Sequence, residues 1–232
     1  MDIELRFIRF QRLVGFDSFE KLHNSKVIVF GVGGVGGYVV ESLARAGVGT
    51  IGVVDNDTVN LTTINRKIIA TDNTINEYKT DAVEARIHSI SPECKIIKYT
   101  MFYLPETKIH IPLEEYDYIV DAIDTVTAKL TLIEEATHLN IPIISSMGTG
   151  NRLDPSKLIF TDISKIKDIS LFINSFDVLY IKTAPIYINN ISTINKPICG
   201  LIKYAIAFIT YITRPLWSNK SLYITWPFSI PL

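Results

Sequence analysis

The segment that most constrains the fold of this chain is residues 26–57, KVIVFGVGGVGGYVVESLARAGVGTIGVVDND. Residues 27–30 form a short apolar run rich in β-formers, which is typical of a buried parallel strand. Gly31, Gly33 and Gly36 follow at the spacing G-x-G-x-x-G, which allows a tight turn and a close approach of backbone N–H groups to a phosphate. The segment therefore predicts a strand that leads through a phosphate-binding loop into a helix.

The residues around this loop strengthen the prediction. Gly34 loosens the loop further, apolar residues at helical spacing predict a helix over 35–46, and Gly47 is its expected stop. Residues 50–54 predict a second strand, and Asp55 follows it at the distance where an acid can bind ribose hydroxyls. A glycine motif alone often marks only a turn, but the strand, helix and acid around this one favour nucleotide binding.

The remaining pattern predicts an α/β fold. Further strands are expected at 95–99, 118–122, 141–145 and 158–162, with helices over 79–90 and 125–139 and a flexible loop at 147–150. Strands that alternate with helices predict a Rossmann-like, doubly wound, mostly parallel sheet with helices on both faces.

Several charged residues outside the glycine loop are candidates for anion binding. Arg6, Arg9 and Arg12 would share roughly one helix face, which is either a solvated basic face or an anion clamp. Asn65 and Arg66 lie in a polar, irregular segment, where they are either exposed or folded over the glycine loop and able to bind phosphate.

Two further residues are of interest because of the predicted helix and strand beside them. Lys79 begins the helix 79–90, where a lysine is ordinarily solvated. Asp124 follows the strand 118–122, at the sheet edge where such folds bind ligands. Its carboxylate can hold Mg²⁺ beside a polyphosphate or cap the next helix, and the two roles can coexist.

Composition narrows the class of protein. The net charge of −1 does not indicate a general affinity for nucleic acid, although it is compatible with a local basic patch. Cys94 and Cys199 are too few for a zinc cluster or a disulfide framework, so we expect no zinc and a reducing, cytoplasmic location. The charged segment 1–12 lacks the apolar region of a signal peptide.

Separated motifs in this order resemble the ubiquitin-activating-type superfamily that includes ThiF and MoeB, and within it the tRNA threonylcarbamoyladenosine dehydratase branch. The resemblance runs from about residue 6 to residue 165 and rests on RFIR, RLVG, EKLHNSKVIVFGVGGVGGYVVESLARAGVG, VDNDTV, INRKIIAT, DAIDTVTAK and GTGNRLDPSKL. It implies ATP-dependent adenylation of a carboxylate, here that of threonylcarbamoyladenosine in tRNA, followed by ring closure with net loss of water. ATP and Mg²⁺ are the implied cofactors, and tRNA carrying the modified adenosine and a second copy of the chain are the implied partners.

The resemblance also implies site residues. Catalytic roles fall to Arg9, which would reach into the partner subunit's site, and to Arg66, Lys79 and Asp124, with Asp124 as the metal ligand. Nucleotide binding falls to Gly31, Gly33, Gly34, Gly36, Asp55, Asp57, Asn65, Arg66 and Lys79. Since the substrate attacks itself, the reaction requires no nucleophilic cysteine. This chain departs from the family's usual TN-x-NRQ at two positions. Thr63 replaces an asparagine, and Lys67 replaces a glutamine and would add a cation near the phosphates.

The end of the chain differs in composition. We expect an adenylating domain over 1–168 and a divergent apolar tail over 169–232, because the tail holds one acidic residue, Asp177, but both tryptophans and five of the ten prolines. The tail is a native extension, a membrane contact, or a frame-shifted or truncated family C-terminus. The third interpretation is favoured, and an intact single frame on resequencing would contradict it. Membrane contact is less favoured, because the apolar run 198–212 is shorter than the ~20 residues of a spanning helix.

Three other functions stay open. A sulfur-carrier or ubiquitin-like protein could supply the carboxylate, or the chain could be an inactive nucleotide-binding paralogue. An NAD-dependent oxidoreductase would use the same glycine loop and Asp55. It would leave four residues without a shared purpose: Arg9, Arg66, Lys79 and Asp124.

Overall fold

The computed structural model describes residues 3–146 together with two short strands, 159–161 and 178–182. The helices are α1 (Ile3–Val14), α2 (Phe16–His23), α3 (Gly36–Ala46), α4 (Lys79–Ile90) and α5 (Val126–His138). The strands are β1 (Lys26–Phe30), β2 (Thr50–Val54), β3 (Lys95–Tyr99), β4 (Tyr118–Asp121), β5 (Ile143–Ser146), β6 (Ile159–Thr161) and β7 (Val178–Lys182). Short 3-10 turns lie at Leu61–Thr63, Asp72–Thr74, Lys108–His110 and Leu113–Glu115.

These strands form one sheet in the order β3-β2-β1-β4-β5-β7-β6. The first five are parallel, whereas β7 runs antiparallel to β5 and β6 runs parallel to β7. Phe30 at the end of β1 is in register with Val54 of β2 and Asp121 of β4, so these three strands end at one edge. The strand order reverses between β1 and β4, which is where open α/β sheets form a binding crevice.

The two faces of the sheet carry separate cores, because successive side chains of a strand point to opposite faces. Val27 and Val29 of β1 pack with apolar residues of α3 and α4, whereas Ile28 and Phe30 pack with apolar residues of α5. The prediction of a mostly parallel α/β sheet with helices on both faces is confirmed.

The element boundaries follow the sequence closely. The predicted bounds of β2, β3 and α4 are those observed, and α3 ends before Gly47, which adopts the left-handed conformation with φ 90°. The strand expected to begin at residue 141 begins at Ile143 instead. Ile141 is still bonded to the end of α5 through its N–H, and Pro142 has no N–H to donate to the ladder.

Some sequence predictions fall beyond the described residues. The loop 147–150 and most of the tail, 183–232 included, lie there, so the domain boundary after residue 168 stays a prediction. Within the tail, β7 pairs with β5. Among the helices of the described part of the chain, none has the length and apolar character needed to cross a membrane.

Candidate nucleotide-binding and active site

A cavity of about 180 Å³ lies where β1, β2, β3 and β4 end, and it is partly open to solvent. Its walls come from the glycine loop, from the segments that follow β2, β3 and β4, and from the first turns of α4 and α5. The lining residues are Gly31, Gly33, Val54, Asp55, Asn56, Asp57, Lys79, Met101, Phe102, Tyr103, Leu104, Ala122, Ile123, Asp124, Thr125 and Ala128. Six of the sequence-predicted site residues therefore meet in one cavity.

The glycine loop is packed too tightly for side chains at two of its positions. Gly31 has φ 81°, and a Cβ atom there would lie 2.7 Å from the Ala122 carbonyl oxygen. A Cβ atom on Gly36 would lie 1.7 Å from the Gly31 carbonyl oxygen, because α3 begins directly against the loop. Gly33 differs from both, since a Cβ atom there would meet no atom within 4 Å. Gly31 and Gly36 thus maintain the packing, while Gly33 leaves the cavity open.

Asp55 holds the glycine loop from the end of β2. Its carboxylate accepts a hydrogen bond from the Val32 N–H at 2.9 Å and another from the Asp57 N–H at 3.0 Å. This side chain is buried, with 8% of its surface exposed. The predicted ribose-binding acid therefore also joins the second strand to the loop.

Lys79 lies in the cavity and is buried, so the expectation that a lysine at this position is ordinarily solvated is wrong here. Its Nζ is 3.0 Å from Asp55 Oδ1 and 2.6 Å from Asp57 Oδ2. Burial by itself would lower the pKa of Lys79, but the hydrogen bond to Asp57 and the charge of Asp55 outweigh burial and raise that pKa. The cavity consequently contains a fixed ammonium charge beside the glycine loop.

Arg66 and Asn65 lie against the outer side of the same loop and are exposed. The Arg66 side chain comes within 3.9 Å of the position that a Cβ on Gly34 would occupy, and its Nη1 donates to Asn65 Oδ1 at 3.0 Å. Lys67 follows them in the chain. The pKa of Lys67 is lowered, mainly by burial and secondly by the positive charge of Lys79. These cations therefore add to the positive potential around the loop.

Asp124 lies on the cavity wall after β4 and is exposed. The alternative that it caps the following helix is wrong, because α5 begins one residue later and Thr125 occupies its N-cap position without a side-chain hydrogen bond. Asp124 therefore belongs to the cavity lining and is not the cap of this helix.

Of the predicted catalytic residues, Arg9 lies away from both the cavity and the glycine loop. It is exposed on α1 together with Arg6 and Arg12, and it is not part of the lining described above. Arg6 donates instead to the carbonyl of Ile90 at the end of α4. Within one chain, α1 is therefore attached to α4 and not to the site.

The segment 101–104 is a site feature that the sequence reasoning missed. It follows β3 directly, a position in the chain that points to the same sheet edge. Phe102 is largely exposed, whereas Tyr103 is buried with its ring edge against Phe30 at a centroid distance of 4.8 Å. Burial, with a smaller effect of Glu135, raises the pKa of Tyr103. These side chains form an apolar wall of the cavity.

Comparison with known proteins shows the family to which this chain belongs. The model of the ThiF family matches residues 6–162. The tRNA threonylcarbamoyladenosine dehydratases of Bacillus subtilis and Haemophilus influenzae are 44% and 38% identical to this chain over 69% and 70% of its length. Those matches cover 63% and 62% of the two relatives, so the chain spans about three fifths of the length of the curated relatives it matches.

A similar solved structure comes from the same kind of protein as these relatives. The crystal structure of Escherichia coli tRNA N6-threonylcarbamoyladenosine dehydratase, TcdA, in complex with ATP superposes with a TM-score of 0.71 at 27% identity. The superposition covers 89% of this chain and 90% of that one. The family match, the sheet order and the glycine-loop cavity agree, and the chain belongs to the ThiF family.

Proposed function

We propose that this chain uses ATP to activate a carboxylate, and that its substrate is threonylcarbamoyladenosine in tRNA, which it cyclises with loss of water. The observation that carries the proposal is Lys79, a buried lysine whose raised pKa keeps an ammonium group in the cavity beside the glycine loop. The relatives that are named tRNA threonylcarbamoyladenosine dehydratase support the choice of substrate.

The reaction needs positive charge near the bridging oxygen of the leaving pyrophosphate. A carboxylate oxygen of the substrate bonds to the α-phosphorus of ATP, the bond to the bridging oxygen breaks, and pyrophosphate leaves. Negative charge grows on that oxygen, so prepositioned donors such as Lys79 and Arg66 stabilise the transition state, each by a few kcal/mol by analogy with other enzyme sites. Attack within the substrate then closes the ring and expels AMP, which leaves the product short of one water.

The residues present fit Mg²⁺ bound together with nucleotide. Magnesium sites in such enzymes use one or two carboxylates together with substrate phosphates. Asp124 is exposed and lines the same cavity as Gly31 and Gly33, and it would hold the ion. When bound, Mg²⁺ supplies positive charge to the phosphate oxygens.

The apolar wall suits the base of the nucleotide. Phe102 lines the cavity and is largely exposed, and aromatic side chains can stack on nucleic-acid bases. We infer that adenine lies against residues 101–104, with its ribose toward Asp55 and its phosphates toward Gly31, Gly33, Gly34 and Gly36.

The proposal requires no cysteine nucleophile. Cys94, the cysteine in the described part of the chain, is buried, and burial raises its pKa to about 12. Its thiolate is therefore scarce at neutral pH, which argues against a thioester step at this residue.

The partners form part of the same proposal. We propose a homodimer in which Arg9 of one protomer serves the site of its partner, because the chain's own cavity does not include Arg9. A cytoplasmic location is proposed because the proposed substrate is a tRNA.

The test is pyrophosphate release from ATP and Mg²⁺, with tRNA that carries threonylcarbamoyladenosine and with unmodified tRNA. We expect release that needs the modified tRNA and is lost in Asp124→Ala. Mass spectrometry of the nucleoside should show the loss of one water.

Other outcomes would redirect the proposal. Release that depends on a ubiquitin-like or sulfur-carrier C-terminus would move the chain to another adenylating branch. Tighter binding of NADH than of ATP would favour an oxidoreductase, and ATP binding without any release would indicate an inactive paralogue.

A further inference from the structure

A buried ion pair lies beneath the turn that carries Asp124. Asp121 at the end of β4 has no exposed surface, and Lys129 on α5 is also buried. Lys129 Nζ lies 2.9 Å from Asp121 Oδ2 and donates to the Ser146 carbonyl at 2.6 Å. One ammonium group thus joins the ends of two neighbouring strands to a helix.

The second oxygen of Asp121 holds the turn itself. Asp121 Oδ1 accepts the Ile123 N–H at 3.0 Å, and the Ser145 hydroxyl donates to Oδ2. Ile123 immediately precedes Asp124, so this hydrogen bond fixes the backbone from which the Asp124 carboxylate projects. Charge and hydrogen bonds at Asp121 are thereby satisfied without any contact to the cavity.

The same turn is in close contact with the glycine loop. The Ala122 N–H donates to the Phe30 carbonyl at 2.8 Å, and the Ala122 carbonyl is the atom that excludes a side chain at Gly31. A shift of the turn would therefore move Asp124 relative to the loop that faces it.

We propose that Asp121 is a positioning residue, which acts through the Ile123 N–H to hold Asp124 toward the metal, and that Lys129 neutralises Asp121 and joins it to β5. This inference rests on the proposed function, because it assigns Asp124 to Mg²⁺. Asp121 is buried and does not line the cavity, so its role is to position Asp124 rather than to bind a ligand.

A pair of double variants separates positioning from folding. D121L/K129M replaces the ion pair by apolar side chains of similar shape, a change that buried ion pairs often tolerate, and it removes the acceptor for Ile123. D121N/K129M also removes both charges but retains one acceptor oxygen. Lys108→Met, which breaks the ion pair of Lys108 with Glu135 on α5, is the matched control.

The Mg²⁺ dependence of pyrophosphate release is the first readout. In D121L/K129M we expect the Mg²⁺ concentration for half-maximal rate to rise at least about fivefold, while ATP affinity measured in EDTA stays within about twofold. In D121N/K129M this Mg²⁺ concentration should lie within about threefold of the wild-type value, and in Lys108→Met it should equal the wild-type value. An unchanged Mg²⁺ midpoint in a folded D121L/K129M variant would overturn the proposal.

Hydrogen exchange provides a readout that does not need activity. The Ile123 amide should exchange at least about tenfold faster in D121L/K129M than in the wild type or in Lys108→Met, because its acceptor is gone. Equal protection in all three proteins would contradict the positioning role. If the wild type releases no pyrophosphate, the proposed function fails, and hydrogen exchange still decides whether Asp121 holds the turn.

Discussion

Lys79 is the residue whose removal should affect the site most. Lys79→Met would leave Asp55 buried without its cation, and breaking a buried pair costs about 3–5 kcal/mol. We expect that loss in urea unfolding, together with a fall in ATP affinity of at least about tenfold. Lys98→Met is the matched control, because its partners Asp81 and Glu84 are more exposed, and it should cost about 1 kcal/mol or less. Equal stability of the two variants would contradict this account.

Two glycines of the same loop should respond differently to one added methyl group. Gly36→Ala places a Cβ in the Gly31 carbonyl, so we expect a loss of about 1–3 kcal/mol of stability from overpacking. Gly33→Ala meets no atom and should unfold like the wild type, but it should weaken ATP binding because Gly33 lines the cavity. Thermal unfolding with and without ATP measures both effects. Loss of stability in Gly33→Ala would contradict the packing described here, in which a side chain at Gly33 meets no other atom.

At the scale of elements, α3 and α4 are joined by Glu41. Its carboxylate accepts two hydrogen bonds from Arg86 of α4 at 2.9 Å, and it also bonds Arg45. Burial would raise the pKa of Glu41, but the two arginines outweigh burial and lower it below the ordinary 4.5. The contact therefore stabilises the helix pair most where Glu41 is ionised.

The lowered pKa predicts how this contribution changes with pH. It is present in full above pH 4.5 and is lost as the pH falls through the lower pKa of the folded state. At pH 7, Glu41→Gln should lose about 1–2 kcal/mol, since both arginines are partly solvent-screened. Urea unfolding of wild type and variant at falling pH should show the gap closing. A gap that is constant down to pH 3 would refute the assignment.

At the scale of the whole molecule, Arg9 is the residue that one chain leaves unexplained. If Arg9 serves the partner's site, Arg9→Ala and Asp124→Ala should each be inactive alone, yet mixed dimers should contain one intact site out of two. Co-refolded mixtures should regain pyrophosphate release, and the wild type diluted with either variant is the reference. Absence of regained activity in proven mixed dimers would place Arg9 outside the reaction.

The sheet and most of its boundaries were predictable from local pattern. The runs at 50–54 and 95–99 and the stripe of Ala82, Val83 and Ile87 on α4 have periods that specify strands and a helix regardless of context. The start of β5 was less predictable, because it depends on how far the turn after α5 extends.

The sequence alone determined the fold class, the glycine loop and the sheet edge at which the site lies, because each depends on residue spacing along one short segment. Only the tertiary structure decided that Lys79 is buried and paired with two carboxylates and that Phe102 and Tyr103 line the cavity. It also decided that Asp121 is bonded to Lys129 beneath Asp124. These facts depend on distances between segments far apart in the chain, and burial and pKa follow from such distances rather than from periodicity.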